Sequence, residues 1–160
     1  MKGGSMSQKI IPNLWFNGNA QEAVDFYVSV FPNSKIITTA HYPTEGLADF
    51  QKPLAGKVLT IEFELDGNRF IAINAGPEFT FSEAVSFMIN CKDQEEIDYY
   101  WKHLSSDPSF EQCGWCKDKY GLSWQVVPRE IDDLMTNPKA FAALMEMKKI
   151  EIAAFDQFKK

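Results

Sequence analysis

The feature that most constrains this chain lies near its N-terminus: Leu14-Trp15-Phe16-Asn17-Gly18-Asn19-Ala20-Gln21-Glu22-Ala23-Val24-Asp25-Phe26-Tyr27. An apolar strand runs into a tight polar turn and then an amphipathic helix. A second, degraded copy of the same design begins at Val85. Two strand–helix–strands units in one short chain imply a duplicated sheet that curls around a cavity. That cavity is the first place to look for function.

The first copy spans about residues 9–76. Lys9 to Phe16 reads as a strand, with Pro12 at its start or edge. Asn19 with Glu22 three residues on resembles a capping box, Ala20, Ala23, Val24, Tyr27 and Phe31 recur at helical spacing, and Pro32 stops the helix. Ser34 to Ala40 is a strand. His41 to Gly56, punctuated by Pro43, Gly46 and Pro53, is long enough to be a disordered insert or a functional lid. Val58 to Leu65 alternates as a half-buried strand, Asp66-Gly67 is a hairpin turn, and Arg69 to Asn74 returns as its partner.

The second copy spans about residues 84–128. Ala84 to Cys91 is a strand, Asp93 with Glu96 is another capping pattern, and Ile97, Tyr100, Trp101 and Leu104 form the helical stripe. Glu111 to Cys116 and Leu122 to Val127 supply strand material. Phe26-Tyr27 answers Tyr99-Tyr100, and Asp66-Gly67 answers Tyr120-Gly121. Residues 129–160 form a helical tail, starting a helix at Asn137-Pro138, that packs across the sheet or onto a partner subunit. Met1 to Ser5 reads as a cloning remnant, which leaves 6–160 as one domain.

Composition narrows the function classes. The chain has 160 residues, 45% of them apolar, which suits one well-cored domain. Thirteen Phe and four Trp exceed what a core of this size needs, so some are expected to line a pocket. A net charge of −6 without a basic stripe argues against a nucleic-acid partner, and no apolar run approaches a membrane span. Three Cys without a secretory signal fit a reduced, cytoplasmic setting.

Leu14-Trp15-Phe16-Asn17-Gly18-Asn19-Ala20 with Glu22-Ala23 and Phe26-Tyr27 resembles the opening of the PhnB-like branch of the vicinal oxygen chelate superfamily. That superfamily takes in glyoxalase I, bleomycin-resistance proteins and extradiol dioxygenases. Glu111-Gln112-Cys113-Gly114-Trp115 and Asp118-Lys119-Tyr120-Gly121-Leu122-Ser123-Trp124-Gln125 resemble the closing half of the branch. The resemblance runs from about Ile10 to Phe155. It implies an α+β fold: two βαβββ modules in an open, curved mixed sheet around a cavity, plus C-terminal helices, commonly as a homodimer. Many sequences of this branch carry the label 3-demethylubiquinone-9 3-methyltransferase. The Gly-rich turn between a parallel strand and a helix that a nucleotide-type methyltransferase site needs is absent.

Active members of the superfamily hold one divalent metal with His, Glu or Gln. The resemblance puts the ligand positions at Pro12, Ile71, Ser86 and Gln125, and only Gln125 is a plausible donor. A one-residue slip offers Asn13 and Ala72, which does not restore the set. The expectation is therefore no metal and no cofactor. Cys113-Gly114-Trp115-Cys116 is a C-x-x-C, but it precedes a turn and a strand where a redox pair would begin a helix. With Cys91 the only other cysteine, packed or semi-exposed free thiols are expected.

Strand alternation puts Asn13, Trp15 and Asn17 on one face of the first strand, and Ser123, Gln125 and Val127 on one face of the last. The resemblance places a ligand cavity on the inner side of these strands. The candidate ligand-binding residues are Asn13, Trp15, Ser86, Met88, Trp115 and Gln125, with Asn74 at the rim. As core aromatics and backbone-satisfying amides, the same residues would have no ligand role. Glu62 and Glu64 would do acid–base work only if buried together, and are read as solvated charges.

The leading expectation is a metal-free small-molecule binding protein whose cavity the His41 to Gly56 loop closes. A divalent-metal lyase, isomerase or dioxygenase using Gln125, and a dimeric structural or interaction module, are the alternatives.

Overall fold

A computed structural model describes residues 8–158, so Met1 to Ser5, read as a cloning remnant, lies outside the described residues. The chain divides into two compact units, Met1–Thr80 and Phe81–Lys160.

In the first unit, β1 (Asn13–Asn17), α1 (Ala20–Val30), β2 (Lys35–His41), β3 (Val58–Leu65) and β4 (Asn68–Ala75) follow in order. The sheet order is β1-β4-β3-β2, with β1 parallel to β4 and the other pairs antiparallel. This is the expected βαβββ arrangement in a mixed sheet. Alternation decides which face is covered: Leu14, Phe16, Ile61, Phe63, Leu65, Phe70 and Ala72 are buried, as is the α1 stripe Ala20, Ala23, Val24, Tyr27 and Val30. Each large side chain buried there contributes roughly 1.5–3 kcal/mol. Asp66 and Gly67, with φ of 48° and 81°, make the β3–β4 turn, the left-handed pair that a two-residue hairpin requires.

One local expectation is corrected, at the start of α1. The Asn19 side chain makes no capping bond at the start of α1. Asn74, on β4, does the work: its Oδ1 accepts the Ala20 N–H at 3.1 Å, and its Nδ2 donates to the Val58 carbonyl at 3.0 Å. The long loop after β2 is held at its base. Tyr42 is buried, its hydroxyl donates to the Asn74 carbonyl at 2.9 Å, and its backbone exchanges bonds with Lys57 and Gly56. A 3-10 turn at Asp49–Leu54 occupies the loop interior.

Asn74→Ala removes both amide bonds and is expected to cost about 2 kcal/mol, because each half-buried bond contributes about 1 kcal/mol. Asn74→Asp keeps the acceptor at the helix N-terminus, where negative charge is favoured, and should recover part of that loss. Urea unfolding of the two variants checks the order.

In the second unit, β5 (Ser86–Cys91), α2 (Gln94–Leu104), β6 (Trp115–Lys117) and β7 (Ser123–Pro128) form a three-stranded sheet of order β5-β7-β6. Again the strand before the helix runs parallel to the last strand. The fourth strand of the expected module is not formed. Ser105 to Gln112 takes its place with a 3-10 turn at Pro108–Phe110, and Glu111 to Gln112 contributes only an isolated bridge from Gln112 to Trp115. Helix α2 starts as its sequence suggests: Asp93 Oδ1 accepts the Glu96 N–H at 2.9 Å, and Glu96 Oε1 accepts the Lys92 N–H at 2.8 Å.

The tail supplies α3 (Ile131–Leu134), α4 (Pro138–Met145) and a 3-10 segment at Ile152–Phe158. It has its own core of Leu134, Ala140, Leu144, Ile150 and Phe155, joined to the end of β7 through Val127. Gln94 of α2 holds it, donating to the Ile150 carbonyl at 3.0 Å and accepting the Ile152 N–H at 2.7 Å. Among the described residues no helix is long and apolar enough to cross a membrane.

Candidate functional site

Pairing in the second sheet places Met88 and Trp115 on either side of Gln125, each directly opposite it in register. Ser86 lies two residues before Met88 on the same face, and its Oγ accepts a hydrogen bond from Gln125 Nε2 at 2.9 Å. Four of the candidate residues thus form one patch, on the face opposite buried Trp124, Val126 and Cys116. Met88 is 50% exposed, and Ser86, Trp115 and Gln125 are half-buried. One edge of the patch carries a cation the sequence reading missed. Lys117 follows Trp115 by two residues, pairs with Glu83, and lies 3.7 Å from the Phe110 ring centroid. That ion pair holds the Glu83 carboxyl below its usual range, chiefly through the Lys117 hydrogen bond.

The candidates of the first unit behave differently. Trp15 Nε1 donates to the Gly76 carbonyl at 2.9 Å, and its ring meets Phe79 edge-on at 4.7 Å between centroids. Asn13 is exposed and its amide turns back to the Ile11 carbonyl at 3.0 Å. The Asn74 amide is engaged at both ends by the bonds described above. Of the two glutamates read as solvated, Glu62 is corrected: it pairs with Arg69, and each side chain is only 20% exposed. Arg69 and Glu62 share the Asn13–Trp15 face, because Glu62 and Asn13 both lie opposite Ile71 and Arg69 lies two residues before it.

The C-x-x-C is not a redox pair beginning a helix. Cys113 and Gly114, with φ of 42° and 91°, are the tip of a two-residue turn closed by Gln112 and Trp115. Their N–H groups donate to the Met147 and Lys148 carbonyls at 2.6 and 2.8 Å, so the tip is locked into the tail. A Cβ on Gly114 would sit 2.8 Å from Ile150 Cδ1, so the position is built for glycine.

All three cysteines are free. Burial pushes the Cys91 and Cys116 thiols up to about 12, helped by the carboxylates of Glu96 and Asp93 for the first and of Asp118 and Glu111 for the second. Burial raises Cys113 as well. These thiols stay neutral in the folded chain while their unfolded counterparts ionise near 9. From pH 9 towards 12 the unfolded state therefore binds fewer protons, and this contribution lowers stability as pH rises. At pH 8 a disulfide-exchange reagent should label Cys113 alone in the native chain and all three thiols in urea.

The sequence reading also missed Asp118, a buried carboxylate. Its Oδ1 accepts the N–H groups of Tyr120 and Leu122 at 2.8 and 3.0 Å, and its Oδ2 accepts Trp124 Nε1 at 2.9 Å. The D-x-x-G-x-x-W spacing was its signal: a carboxylate facing into a turn, with an indole N–H returning on the next strand.

The model of the family described as 3-demethylubiquinone-9 3-methyltransferase matches residues 8–127, which span both sheets. The chain belongs to that family. Its fold is similar to that of the PhnB protein from Bacillus cereus, at 34% identity and a TM-score of 0.60, over 75% of this chain and 99% of that one. Protein PA1353 from Pseudomonas aeruginosa shares the fold at 20% identity and a TM-score of 0.54, over 76% of this chain and 98% of that one. No curated protein matches. The PhnB-like branch is therefore the right placement, and residues 128–160 lie beyond the matched family region.

Metal-using members of the wider superfamily set a test that this PhnB-like chain does not meet. Proline and isoleucine at positions 12 and 71 have no donor atom in the side chain, and Ser86 is a neutral hydroxyl bonded to Gln125. Among the described residues no three His, Cys, Asp or Glu are grouped to hold a metal ion. His41 is exposed at the end of β2, and His103 is spent on the Tyr99 carbonyl within α2. The donor set does not fit a divalent centre.

Proposed function

We propose that the chain is a small-molecule binding protein that works without a resident metal, and that the Ser86, Met88, Trp115 and Gln125 patch contacts the ligand. The supporting observation is the cross-strand row itself. An indole and a thioether flank one amide, and a serine hydroxyl orients that amide. The aromatic and the sulfur supply adaptable apolar contact. The Gln125 carbonyl accepts and the Ser86 hydroxyl donates, which suits a ligand with a neighbouring donor and acceptor, such as an amide or a hydroxy acid. The methyltransferase activity in the family description is not part of this reading. Free thiols support a reducing, cytoplasmic setting. The homodimer implied by the resemblance belongs to the same proposal, and sedimentation equilibrium tests it.

A thermal-unfolding screen of small hydroxy acids and amides against the protein is the direct experiment. Binding to the native state raises the midpoint in proportion to ligand occupancy. Gln125→Ala should weaken a hit about tenfold while changing stability by less than about 1 kcal/mol. Equal affinity in Gln125→Ala and Trp115→Ala would sink the assignment. The same scan on EDTA-stripped protein with Zn²⁺, Mn²⁺, Ni²⁺ or anaerobic Fe²⁺ should show no specific shift. A saturable rise would move the chain to the metal-enzyme class.

A further inference from the structure

A concave site lies in the tail, beyond the matched family region. It is a cleft of about 590 Å³, within the range of small-molecule sites. Its floor is hydrocarbon: Leu134 and Ala140 are buried and Phe158 is half-buried. Glu130 and Asp133 also line it, and among the described residues no Lys, Arg or His does. Neither carboxylate enters an ion pair with the described residues.

The walls are fixed by hydrogen bonds. Asn137 caps α4 through Oδ1, to the Lys139 and Ala140 N–H groups at 2.9 and 3.3 Å, and its Nδ2 donates to the Phe158 carbonyl at 3.4 Å. One side chain therefore ties the start of the helix to the aromatic wall. The Thr136 hydroxyl donates to the Asp133 carbonyl at 2.7 Å, closing the turn between α3 and α4.

We propose that this cleft binds a small organic cation, an ammonium group carried on an aryl or alkyl body. Volume and floor select the hydrocarbon part, because Phe158, Leu134 and Ala140 offer only apolar contact and a ring face. Charge selects the head group: two carboxylates repel an anion, attract an ammonium, and add to the acidic field of a chain with net charge −6. A neutral body of the same shape would gain the floor and lose the carboxylates.

The test uses the full chain and three isosteric probes: 2-phenylethylamine, 2-phenylethanol and phenylacetate. Titration followed by methyl NMR should show the amine shifting Leu134 and Ala140, the alcohol binding about fivefold or more weakly, and the acid not binding. Glu130→Gln with Asp133→Asn should reduce the amine to the affinity of the alcohol. Both are substitutions in the cleft lining, so the unfolding midpoint should move little. Equal affinity for amine and alcohol, an unchanged affinity in the double variant, or shifts confined to other methyls would each overturn the proposal. Lys159→Gln with Lys160→Gln is the remaining arm. Amine binding that emerges only in that variant would assign the cleft to the chain's own terminal lysines and refute the small-molecule reading.

Discussion

Asp118→Ala is expected to lose about 4 kcal/mol of stability. The carboxylate is 2% exposed and serves three N–H donors, two from the backbone of the β6–β7 loop and one from the Trp124 indole. Truncation strands all three, and each unsatisfied buried donor costs roughly 1–3 kcal/mol, partly relieved if water enters. Asp118→Asn is the sharper variant. Its oxygen can still accept both backbone bonds, but its amide then faces the indole N–H, donor against donor. A cost of about 2 kcal/mol should follow, and most of it should vanish in a Trp124→Phe background, where the indole donor is gone. Guanidinium unfolding of the four chains in that cycle gives the coupling directly. Additive losses would mean that the Asp118–Trp124 bond contributes nothing specific. Because Trp124 alternates with Gln125 on β7, a loop loosened by Asp118→Ala should also weaken the ligand binding proposed for the Gln125 patch.

Phe155→Ala should cost about 4 kcal/mol, the usual range for truncating a fully buried phenylalanine. Phe155 is 0% exposed, and it belongs to the cluster of Val127, Leu134, Ala140, Leu144 and Ile150. The outcome decides whether the tail is part of the folded second unit or an appendage to it. A single cooperative transition at lower denaturant would make it part of the unit, consistent with the Gln94 clamp and with the Cys113-Gly114 tip bonded to Met147 and Lys148. A separate early transition confined to the tail would show that the clamp holds only weakly.

What the sequence displayed well was local. The alternation of Leu59, Ile61, Phe63 and Leu65 gave β3 to the residue, and Asp66-Gly67 gave its turn, because side-chain period and left-handed backbone preference are written in consecutive residues. Asn137-Pro138 announced α4 for the same reason. What stayed hidden was supplied from far along the chain. Helix α1 is capped by an amide 54 residues away, where Asn19 was the local choice. Glu62 looked solvated until pairing with β4 brought Arg69 beside it. The strand missing from the second copy was, by contrast, legible locally: Ser105 to Ser109 is turn-rich, and Pro108 with an Asp107 that bonds the Ser109 N–H turns the chain instead of extending it. For the site, period two told which residues share a face but not which strands lie side by side. The Met88–Gln125–Trp115 row is a product of register, and register is a tertiary fact.

The clasp at the base of the first unit's long loop has a consequence for changes in the loop's length. Tyr42 and Lys57 are stitched together, and Tyr42 is also bonded to β4 through the Asn74 carbonyl, so residues 43 to 56 leave and re-enter the sheet through a closed gate. Doubling the length of such an excursion adds only about 0.6 kcal/mol of closure entropy. A change of length in this segment is therefore expected to cost the sheet little stability, because the clasp and not the loop interior joins it to β4.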